Sequence, residues 1–413
     1  MRTFWTIWSG QALSLVGSQA SQFALVWWLT EQTGSAAILS TATLVALLPS
    51  VVLGPAIGAL VDRWSRRLTM IVADSAVALG SLVLAALFLT ANAGTTVVLL
   101  FLLWRAIGGA FQTPAQQAAT SLMVPAEHLS RVQGVNQMLQ GGIGIFVAPL
   151  GAALLGLLGM TGVLALDVVT ALFGILPLLV FSIPEPERSA ERTRGAAVLR
   201  DFRAGLRYLR RLPGHMAFIG FAAGINLFLV PAFALLPLLV LQELRGDAGS
   251  LAWLTAASGV GVLGGGLLLG IWGGFRSRVR TALVAIVGVG AATVVLGMTP
   301  VGFFSLAVSA MFVVGACSAV VNAAIAAVLQ ATVAPDYQGR VFTLVASVAT
   351  AMTPVGLLLA TPIADLAGVR AWYVAGGIVC AVLGAAAFLV RPILAMEGRP
   401  VQAASVEAVP SPY

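Results

Sequence analysis

The sequence predicts an all-α membrane protein in which twelve transmembrane helices form two pseudo-symmetric six-helix halves around a central cavity. Of its 413 residues, 59% are hydrophobic and only 9% are charged, whereas an ordinary soluble domain has about 25% charged residues. Apolar stretches recur along the chain, and a helix that crosses the hydrocarbon core needs roughly 20 such residues. Sequence landmarks also recur after about half the chain, which indicates two related halves.

Hydropathy places the predicted spans in order along the chain, with short polar turns between most of them. The spans are 5–30, 36–61, 68–91, 96–118, 132–157, 161–182, 215–241, 250–273, 281–298, 302–330, 341–365 and 371–390. Short turns make consecutive helices antiparallel neighbours. The chain is thereby divided into an N-terminal half at 1–183, a C-terminal half at 215–391 and a disordered tail at 392–413.

The one long connection, 184–214, is predicted to be a cytoplasmic basic linker that contains an amphipathic helix. Its apolar stripe consists of Leu199, Phe202, Leu206 and Leu209, beside a stripe of arginines. Such a helix would lie on the membrane surface, where anionic lipid attracts about 1 kcal/mol per arginine. Membrane lipids are therefore expected partners of this segment.

Arginine placement predicts the orientation of the chain. All 22 basic residues are arginines, and 19 of them lie on one side of the predicted membrane against two on the other. Cytoplasmic loops have the excess of basic residues in membrane proteins, so both termini are predicted to be cytoplasmic. The same distribution accounts for the net charge of +7 without a nucleic acid partner.

The loop between the second and third spans is predicted to be a cytoplasmic gate. It reads Gly58-Ala-Leu-Val-Asp62-Arg63-Trp-Ser-Arg66-Arg67. Gly58 permits two helices to approach closely, and a carboxylate at a helix end can pair with an arginine and latch the cytoplasmic side. The loop resembles the G-x-L-x-D-R-x-x-R-R signature of the major facilitator superfamily. The alternative is an arginine-rich cytoplasmic loop with an incidental acid.

Three charged residues lie well inside predicted spans, away from the span ends: Arg105 in the fourth, Asp74 in the third and Asp167 in the sixth. An arginine or aspartate there costs about 2.5–3.5 kcal/mol on insertion scales, so it usually faces a cavity or a partner. Arg105 resembles the start of the superfamily's R-x-x-x-G pattern, which implies a role in transport, the alternative being a structural pair. Asp74 and Asp167 are candidate proton carriers, although Asp74 could instead be a fixed partner of an interior arginine or hydroxyl.

The fifth span contains Gly144, Pro149 and Gly151. These residues resemble the superfamily's antiporter motif G-x-x-x-G-P-x-x-G-G, with Ala148 in place of the central glycine. Small residues permit tight helix packing, and a proline permits a kink. The alternative is ordinary packing of a membrane helix.

Neutral amides and aromatic residues within the spans are predicted to line a substrate cavity. They are Gln19, Gln22, Phe23, Gln137, Asn226 and Asn322. Such side chains suit bulky, moderately apolar ligands. Hydrogen bonding between helices is the alternative for each of them.

The order of these features over residues 5–395, with Trp27-Trp28 and Thr33-Gly-Ser35 among them, resembles the macrolide-efflux and enterobactin-exporter branch of the superfamily. The resemblance implies a monomeric, secondary-active exporter of small amphipathic molecules in the bacterial inner membrane. It also implies proton antiport by alternating access, powered by the proton gradient and without a cofactor.

The sequence also permits other functions. The same scaffold permits uptake or export of a specific metabolite or siderophore, and a transport-inactive membrane sensor or scaffold is a remote alternative. An enzyme is not expected, because His128 and His215 lie in or at the edge of predicted loops and Asp74 and Asp167 lie on different helices. No catalytic or metal-ligand set is predicted.

Overall fold

The computed structural model describes residues 1–61, 64–184, 206–210, 212 and 214–398. Its described part consists of helices joined by turns and contains no strand, so the prediction of an all-α fold is confirmed. The first six helices are α1 (Arg2–Thr33), α2 (Ala36–Val52), α3 (Gly54–Val61), α4 (Arg66–Leu89), α5 (Thr95–Met123) and α6 (Leu129–Val180). The next six long helices are α7 (His215–Ala234), α8 (Ala248–Trp272), α9 (Arg278–Met298), α10 (Phe304–Thr332), α11 (Pro335–Ala367) and α12 (Val369–Ala387).

Nine helices of the described part are long and apolar enough to cross a membrane. One of them, α6, has 52 residues, and a straight helix of that length would span about 78 Å, more than twice the hydrocarbon core. Its backbone leaves the helical region at Gly159, with φ 63° and ψ 178°. Glycine adopts a positive φ without steric cost, and α6 therefore contains both the fifth and the sixth predicted spans.

The first two predicted spans fall outside that set of nine for physical reasons. Helix α1 is long enough, but it contains polar side chains that the fold buries, among them Gln11, Ser14 and Ser21. Helix α2 has only 17 residues, because the chain leaves it at Leu53 and continues as α3. With α1, the pair of α2 and α3, and α6 counted twice, the helices account for all twelve predicted spans.

The chain divides into two compact units. The first is Met1–Gly195 with Ala234–Ala256, and the second is Ala196–Phe233 with Ala257–Tyr413. Within the first unit α1 packs against α6, and α4 packs against α5 and α6. Within the second unit α9 packs against α10 and α12.

Glycines permit the close approach of α1 and α6. A Cβ atom at Gly10 would collide with the backbone carbonyl of Phe173, and one at Gly17 would collide with the side chain of Thr170. Since real Cβ atoms do not approach so closely, these two positions require glycine at the present helix separation. The tight packing holds the polar face of α1 against α6.

N-cap residues begin corresponding helices of the two halves. Ser35 caps α2 and Asp247 caps α8, while Ser65 caps α4 and Ser277 caps α9. Each pair is separated by 212 residues, in keeping with the predicted internal repeat. The Asp247 carboxylate accepts hydrogen bonds from the backbone N–H and the hydroxyl of Ser250, both at 2.8 Å, and these bonds hold the pKa of Asp247 below its usual range.

The C-terminal segment folds further along the chain than the sequence predicts. Arg391–Leu394 form a short helix. The Glu397 carboxylate accepts hydrogen bonds from the Ser277 hydroxyl at 2.7 Å and from the N–H groups of Arg278 and Val279 at 3.0 and 3.3 Å. The first N–H groups of a helix have no hydrogen-bond partner within that helix. The Glu397 carboxylate is such a partner for the first turn of α9. The predicted disordered tail therefore does not begin at residue 392, and residues 399–413 lie outside the described part.

The end of the linker that the structure describes packs on the second unit. Leu209 is fully buried in an apolar cluster that includes Leu329. The ring of Tyr208 stacks on that of Tyr337 with a centroid distance of 4.2 Å. Contact with protein therefore holds this end of the predicted amphipathic helix, whose beginning, residues 199–205, lies outside the described part.

Candidate functional site

A polar cavity of about 350 Å³ lies within the first unit, mainly among α1, α4, α5 and α6. Its polar lining residues are Gln11, Ser14, Ser18, Gln19, Gln22, Asp74, Arg105, Gln112, Thr113, Gln116 and Asp167. The three charged residues that the sequence places inside spans therefore line one cavity. They belong to two separate hydrogen-bonded groups.

The first group, here called the amide layer, consists of Gln11, Asp74 and Gln112. Asp74 Oδ2 accepts hydrogen bonds from Gln11 Nε2 at 2.8 Å and from Gln112 Nε2 at 3.0 Å. Gln112 Nε2 also donates to Gln11 Oε1 at 2.6 Å, and Gln11 Nε2 donates to the carbonyl of Gly174 at 3.1 Å. The amide layer thus joins α1, α4, α5 and α6 around one carboxylate.

The second group, here called the ion-pair layer, consists of Ser18, Ser21, Ser81, Arg105 and Asp167. Arg105 Nη1 lies 3.6 Å from Asp167 Oδ2 and donates to the Ser21 hydroxyl at 2.7 Å. Arg105 Nη2 donates to the Ser18 carbonyl. Asp167 accepts hydrogen bonds from the hydroxyls of Ser18 and Ser81, at 2.9 and 2.7 Å. Asp167, rather than Asp74, is the partner that the interior arginine requires.

The two layers are related by a constant spacing along all four helices. The related pairs are Gln11 and Ser18, Asp74 and Ser81, Gln112 and Arg105, and Gly174 and Asp167. Seven residues make about two helical turns, or roughly 10 Å, so the layers lie one above the other on the same helix faces. Gln112 and Ser81 are absent from the sequence-based set of site residues, and this seven-residue spacing from Arg105 and Asp74 is the signal that could have found them.

The electrostatic environments of the two acids differ. Asp167 is 2% exposed, and its charge is balanced by Arg105 and solvated by two hydroxyls. The donors to Asp74 are two neutral amides, so its negative charge has no balancing cation in the amide layer. Burying an unbalanced charge is costly, and Asp74 is therefore the group in this cavity that gains most from a proton or a cationic ligand.

Arg67, from the predicted gate, binds the end of α6. Its Nε donates to the carbonyl of Leu178 at 2.5 Å and its Nη2 to that of Leu179 at 2.7 Å. The last carbonyls of a helix lack partners within it and have partial negative charge. Arg67 therefore fastens the beginning of α4 to the end of α6.

The other predicted gate residues are only partly described. Asp62 and Arg63 lie outside the described residues. Arg66 Nε and Nη1 are buried and have no hydrogen-bond partner among the residues that the structure describes. A Cβ atom at Gly58 would meet no described atom within 4 Å, so in this conformation Gly58 is not a point of close helix approach.

The residues of the predicted antiporter motif lie on α6 in different surroundings. A Cβ atom at Gly144 would meet nothing within 4 Å among the described residues, whereas one at Gly151 would lie 3.0 Å from the ring of Phe23. Gly151 and Phe23 thus belong to the contact between α6 and α1. The backbone remains helical through Pro149, and the bend of this segment is at Gly159.

The predicted substrate-cavity residues divide into two groups. Gln19 and Gln22 line the polar cavity, whereas Phe23 lies outside its lining and packs against Gly151. Gln137 is exposed, and Asn226 and Asn322 each donate to the backbone carbonyl four residues earlier in the same helix. The last three residues do not line the cavity described here.

Comparisons of the sequence with known proteins give consistent matches over most of the chain. The family model of the Major Facilitator Superfamily matches residues 7–239 and 216–410. Macrolide efflux protein A of Streptococcus pyogenes is 34% identical over 382 residues, which cover 91% of this chain and 93% of that protein. The multidrug efflux pump Tap of Mycolicibacterium fortuitum is 28% identical over 391 residues, which cover 91% of this chain and 92% of the pump.

Solved structures of transporters share the fold. A bacterial homolog to the human lysosomal transporter Spinster, in an inward-facing and unoccupied conformation, matches with a TM-score of 0.68 at 17% identity and covers 94% of this chain and 98% of its own. A variant of the peptide transporter POT matches with a TM-score of 0.70 at 13% identity and covers 95% of each chain. Together with the family model and the relatives of known sequence, these matches show that the chain belongs to the Major Facilitator Superfamily.

Proposed function

We propose that this protein exports basic, amphipathic small molecules in exchange for protons, by alternating access. The proposal rests on Asp74, a carboxylate in a cavity among membrane-spanning helices that is held by two neutral amides. An unbalanced charge in such a place is stabilised by any ligand that neutralises it. A proton and the ammonium group of a substrate both do so, and they therefore compete for one carboxylate.

Competition for Asp74 is sufficient to couple the two fluxes. When the cavity is open to the side with the higher proton concentration, a proton displaces the cationic substrate from Asp74. When it is open to the cytoplasm, the proton leaves and a substrate takes its place. A ligand can shift the equilibrium between the two conformations only by its differential affinity for them. In this mechanism the conformational change is favoured when a proton or a substrate is bound at Asp74, and it is not favoured when the site is empty and ionised.

The ion-pair layer has a different role in this mechanism. Asp167 has a fixed cation in Arg105 and two hydroxyl donors, so in this mechanism it serves as a scaffold that joins α1, α4, α5 and α6. Of the two candidate proton carriers, Asp74 is the one that moves protons. Arg105 then acts by holding Asp167 and the backbone of α1.

The names of the relatives support the substrate class. Macrolide efflux protein A and the multidrug efflux pump Tap are both named as efflux proteins. A macrolide with a basic amine, such as erythromycin, combines a cation for Asp74 with an apolar ring. It is therefore the first substrate to test.

The same proposal includes the placement of the chain in the membrane. The arginine bias supports cytoplasmic termini in a bacterial inner membrane, with residues 1–183 and 215–391 as the two halves of the transporter. The predicted gate, Gly58 to Arg67, then lies on the cytoplasmic side. We propose that the protein works as a monomer, since each chain has its own Asp74.

Everted membrane vesicles with an acidic interior test this function. We expect wild-type vesicles to accumulate radiolabelled erythromycin, and addition of erythromycin to release luminal protons, which a pH-sensitive dye reports. Asp74→Asn should reduce both signals to those of vesicles without the protein, because an amide cannot exchange a proton. Asp365→Asn, the same chemical change at an exposed acid of α11, is the matched control and should behave as the wild type.

Two outcomes would contradict the proposal. Proton-driven accumulation by Asp74→Asn vesicles would assign the proton to another group. Accumulation of erythromycin by intact cells, raised by the protein and abolished by a protonophore, would show uptake instead of export.

A further inference from the structure

A second cavity of the first unit is an apolar groove of about 610 Å³ between α4 and α5. This cavity is here called the aromatic groove. The larger side chains that line it are those of Trp64, Leu68, Val72, Trp104, Ile107 and Phe111. Leu68 and Val72 are 59% and 58% exposed. Exposed apolar side chains on a membrane-spanning helix face the hydrocarbon of the bilayer, and the groove is therefore open to lipid.

Aromatic rings bound the groove at both ends. The Trp104 indole lies over Gly80, and its Nε1 donates to the carbonyl of Ala76 at 2.8 Å. The Trp64 ring stacks on Phe111 with a centroid distance of 6.1 Å and an interplanar angle of 10°. Trp104 and Phe111 are seven residues apart on α5, or about 10 Å. The groove thus presents fixed ring faces about two helical turns apart.

The aromatic groove and the polar cavity share a wall. Ala73 and Gly108 line both of them. Gly108 has no side chain and Ala73 has a single methyl group, so these two residues add little bulk to the partition between the two cavities. Asp74 directly follows Ala73, and Gln112 lies one helical turn after Gly108, which places the amide layer immediately behind this wall.

We propose that the aromatic groove is a binding site for the apolar part of the transported amphipath, which enters it from the bilayer before its amine reaches Asp74. This inference rests on the proposed export function and adds a site and a route to it. The groove supplies ring faces and aliphatic contacts for an apolar ring system, while the shared wall brings the basic group of the same molecule close to a carboxylate. A ligand that has an apolar ring system and a basic group can therefore place the first in the aromatic groove and the second in the polar cavity.

A phospholipid acyl chain fits the same surface less well. The hydrocarbon of one leaflet is about 15 Å deep, whereas the rings at Trp104 and Trp64 bound a groove of about 10 Å. An acyl chain also has no cation to present at the shared wall. A compact molecule with an apolar ring and one amine uses the whole site.

Filling the groove tests the proposal. Val72→Trp places an indole in the groove, and Leu79→Trp makes a similar change two turns along the same face of α4, at a side chain that is 60% exposed and outside the groove. In everted vesicles we expect Val72→Trp to raise the KM for erythromycin by about tenfold, equivalent to about 1.4 kcal/mol of lost binding. Leu79→Trp should leave KM unchanged, and kcat should be similar in both variants.

The possible failures are distinguishable. If wild-type vesicles do not transport erythromycin, the export function is wrong. If the wild type transports it and Val72→Trp has the same KM as Leu79→Trp, the groove does not bind the substrate and this inference is wrong.

Photolabelling of the wild-type protein gives an answer even if Val72→Trp does not fold. A diazirine derivative of erythromycin, added to proteoliposomes, should label peptides that contain residues 64–76 and 104–111, and excess erythromycin should reduce that labelling severalfold. Labelling of these peptides by a diazirine phospholipid, with none by the macrolide probe, would identify the groove as a lipid site and overturn the proposal.

Discussion

Asp74 and Asp167 differ in the charge of their hydrogen-bond donors. Asp167 lies 3.6 Å from the guanidinium of Arg105, whereas Asp74 accepts hydrogen bonds from two amides. Neutralising Asp167 leaves Arg105 as an unbalanced buried cation, and breaking a buried pair in this way is strongly destabilising. Neutralising Asp74 removes an unbalanced charge. Substitutions at these two residues therefore separate folding from proton coupling.

Asp167→Asn should lower the free energy of unfolding by about 3–5 kcal/mol, which is the usual cost of removing one partner of a buried ion pair and leaving the other charge unbalanced. Asp74→Asn should lower it little or not at all. Thermal unfolding of the purified protein in detergent, followed by tryptophan fluorescence, measures both. The double variant with Arg105→Gln and Asp167→Asn should recover part of the loss, since neither charge then remains. Equal destabilisation by Asp74→Asn and Asp167→Asn would contradict the assignment of partners.

The sequence predicts that these residues matter but not how they pair. An arginine inside a span requires a cavity or an acid, and the acids inside predicted spans are Asp74, Asp167 and, at the last residue of the eleventh span, Asp365. Which acid meets Arg105 depends on the depth and rotation of separate helices, and hydropathy reports neither. The seven-residue spacing from Arg105 to Gln112 places both side chains on one face of α5, but it does not show which acid lies at the level of Arg105.

At the scale of helices, glycine positions decide which pairs can approach. The sequence predicts a close approach at Gly58, but a Cβ atom there would meet no described atom within 4 Å. The tight contact lies instead at Gly10 and Gly17 of α1. A motif identifies a glycine that permits close approach of another helix. Whether a helix packs against that glycine depends on the conformation, which only the structure shows.

Gly10→Ala should lower the free energy of unfolding by about 1–3 kcal/mol, the usual cost of overpacking, because its Cβ would collide with the carbonyl of Phe173 on α6. Gly142→Ala is the matched control, since a Cβ there meets nothing within 4 Å among the described residues. Its higher helix propensity should stabilise the protein by up to about 1 kcal/mol. Thermal unfolding in detergent measures both. A Gly10→Ala variant as stable as the wild type would show that α1 and α6 are less closely packed than described.

Helix boundaries show what hydropathy can and cannot resolve. The predicted gap at 158–160 contains Gly159, where the backbone of α6 turns. The contact of Glu397 with the first turn of α9 was not predicted, since it joins segments that are distant in sequence. A carboxylate in a polar tail gives no periodic signal, and its place at a helix N-terminus follows only from the fold.

For the whole molecule, the internal repeat does not extend to the polar cavity. The offset of 212 residues that relates Ser65 to Ser277 places Ile286 at the position of Asp74 and Cys317 at that of Arg105. The acids of 215–391 are Glu243, Asp247, Asp336 and Asp365, all near helix ends. The two halves thus share a scaffold, which self-similarity of the sequence predicts. The three charged residues that line the polar cavity all belong to the N-terminal half.

A single exchangeable carboxylate fixes the charge balance of transport. If Asp74 is the sole proton carrier, one proton enters for each molecule exported. For a substrate with one positive charge this exchange moves no net charge, so the membrane potential cannot drive it. A pH difference of one unit, equivalent to about 1.4 kcal/mol, should sustain about a tenfold gradient of the substrate.

Proteoliposomes with imposed gradients measure this balance. We expect a pH gradient alone to drive accumulation of erythromycin faster than in protein-free liposomes, to about tenfold per pH unit, and a potassium diffusion potential set by valinomycin to drive none. Nigericin, which collapses the pH gradient, should abolish accumulation, and valinomycin should spare it. Accumulation driven by the potential alone would require a second proton per cycle. Because Asp167 is the other acid that lines the polar cavity, the Arg105 pair would then have to open during transport.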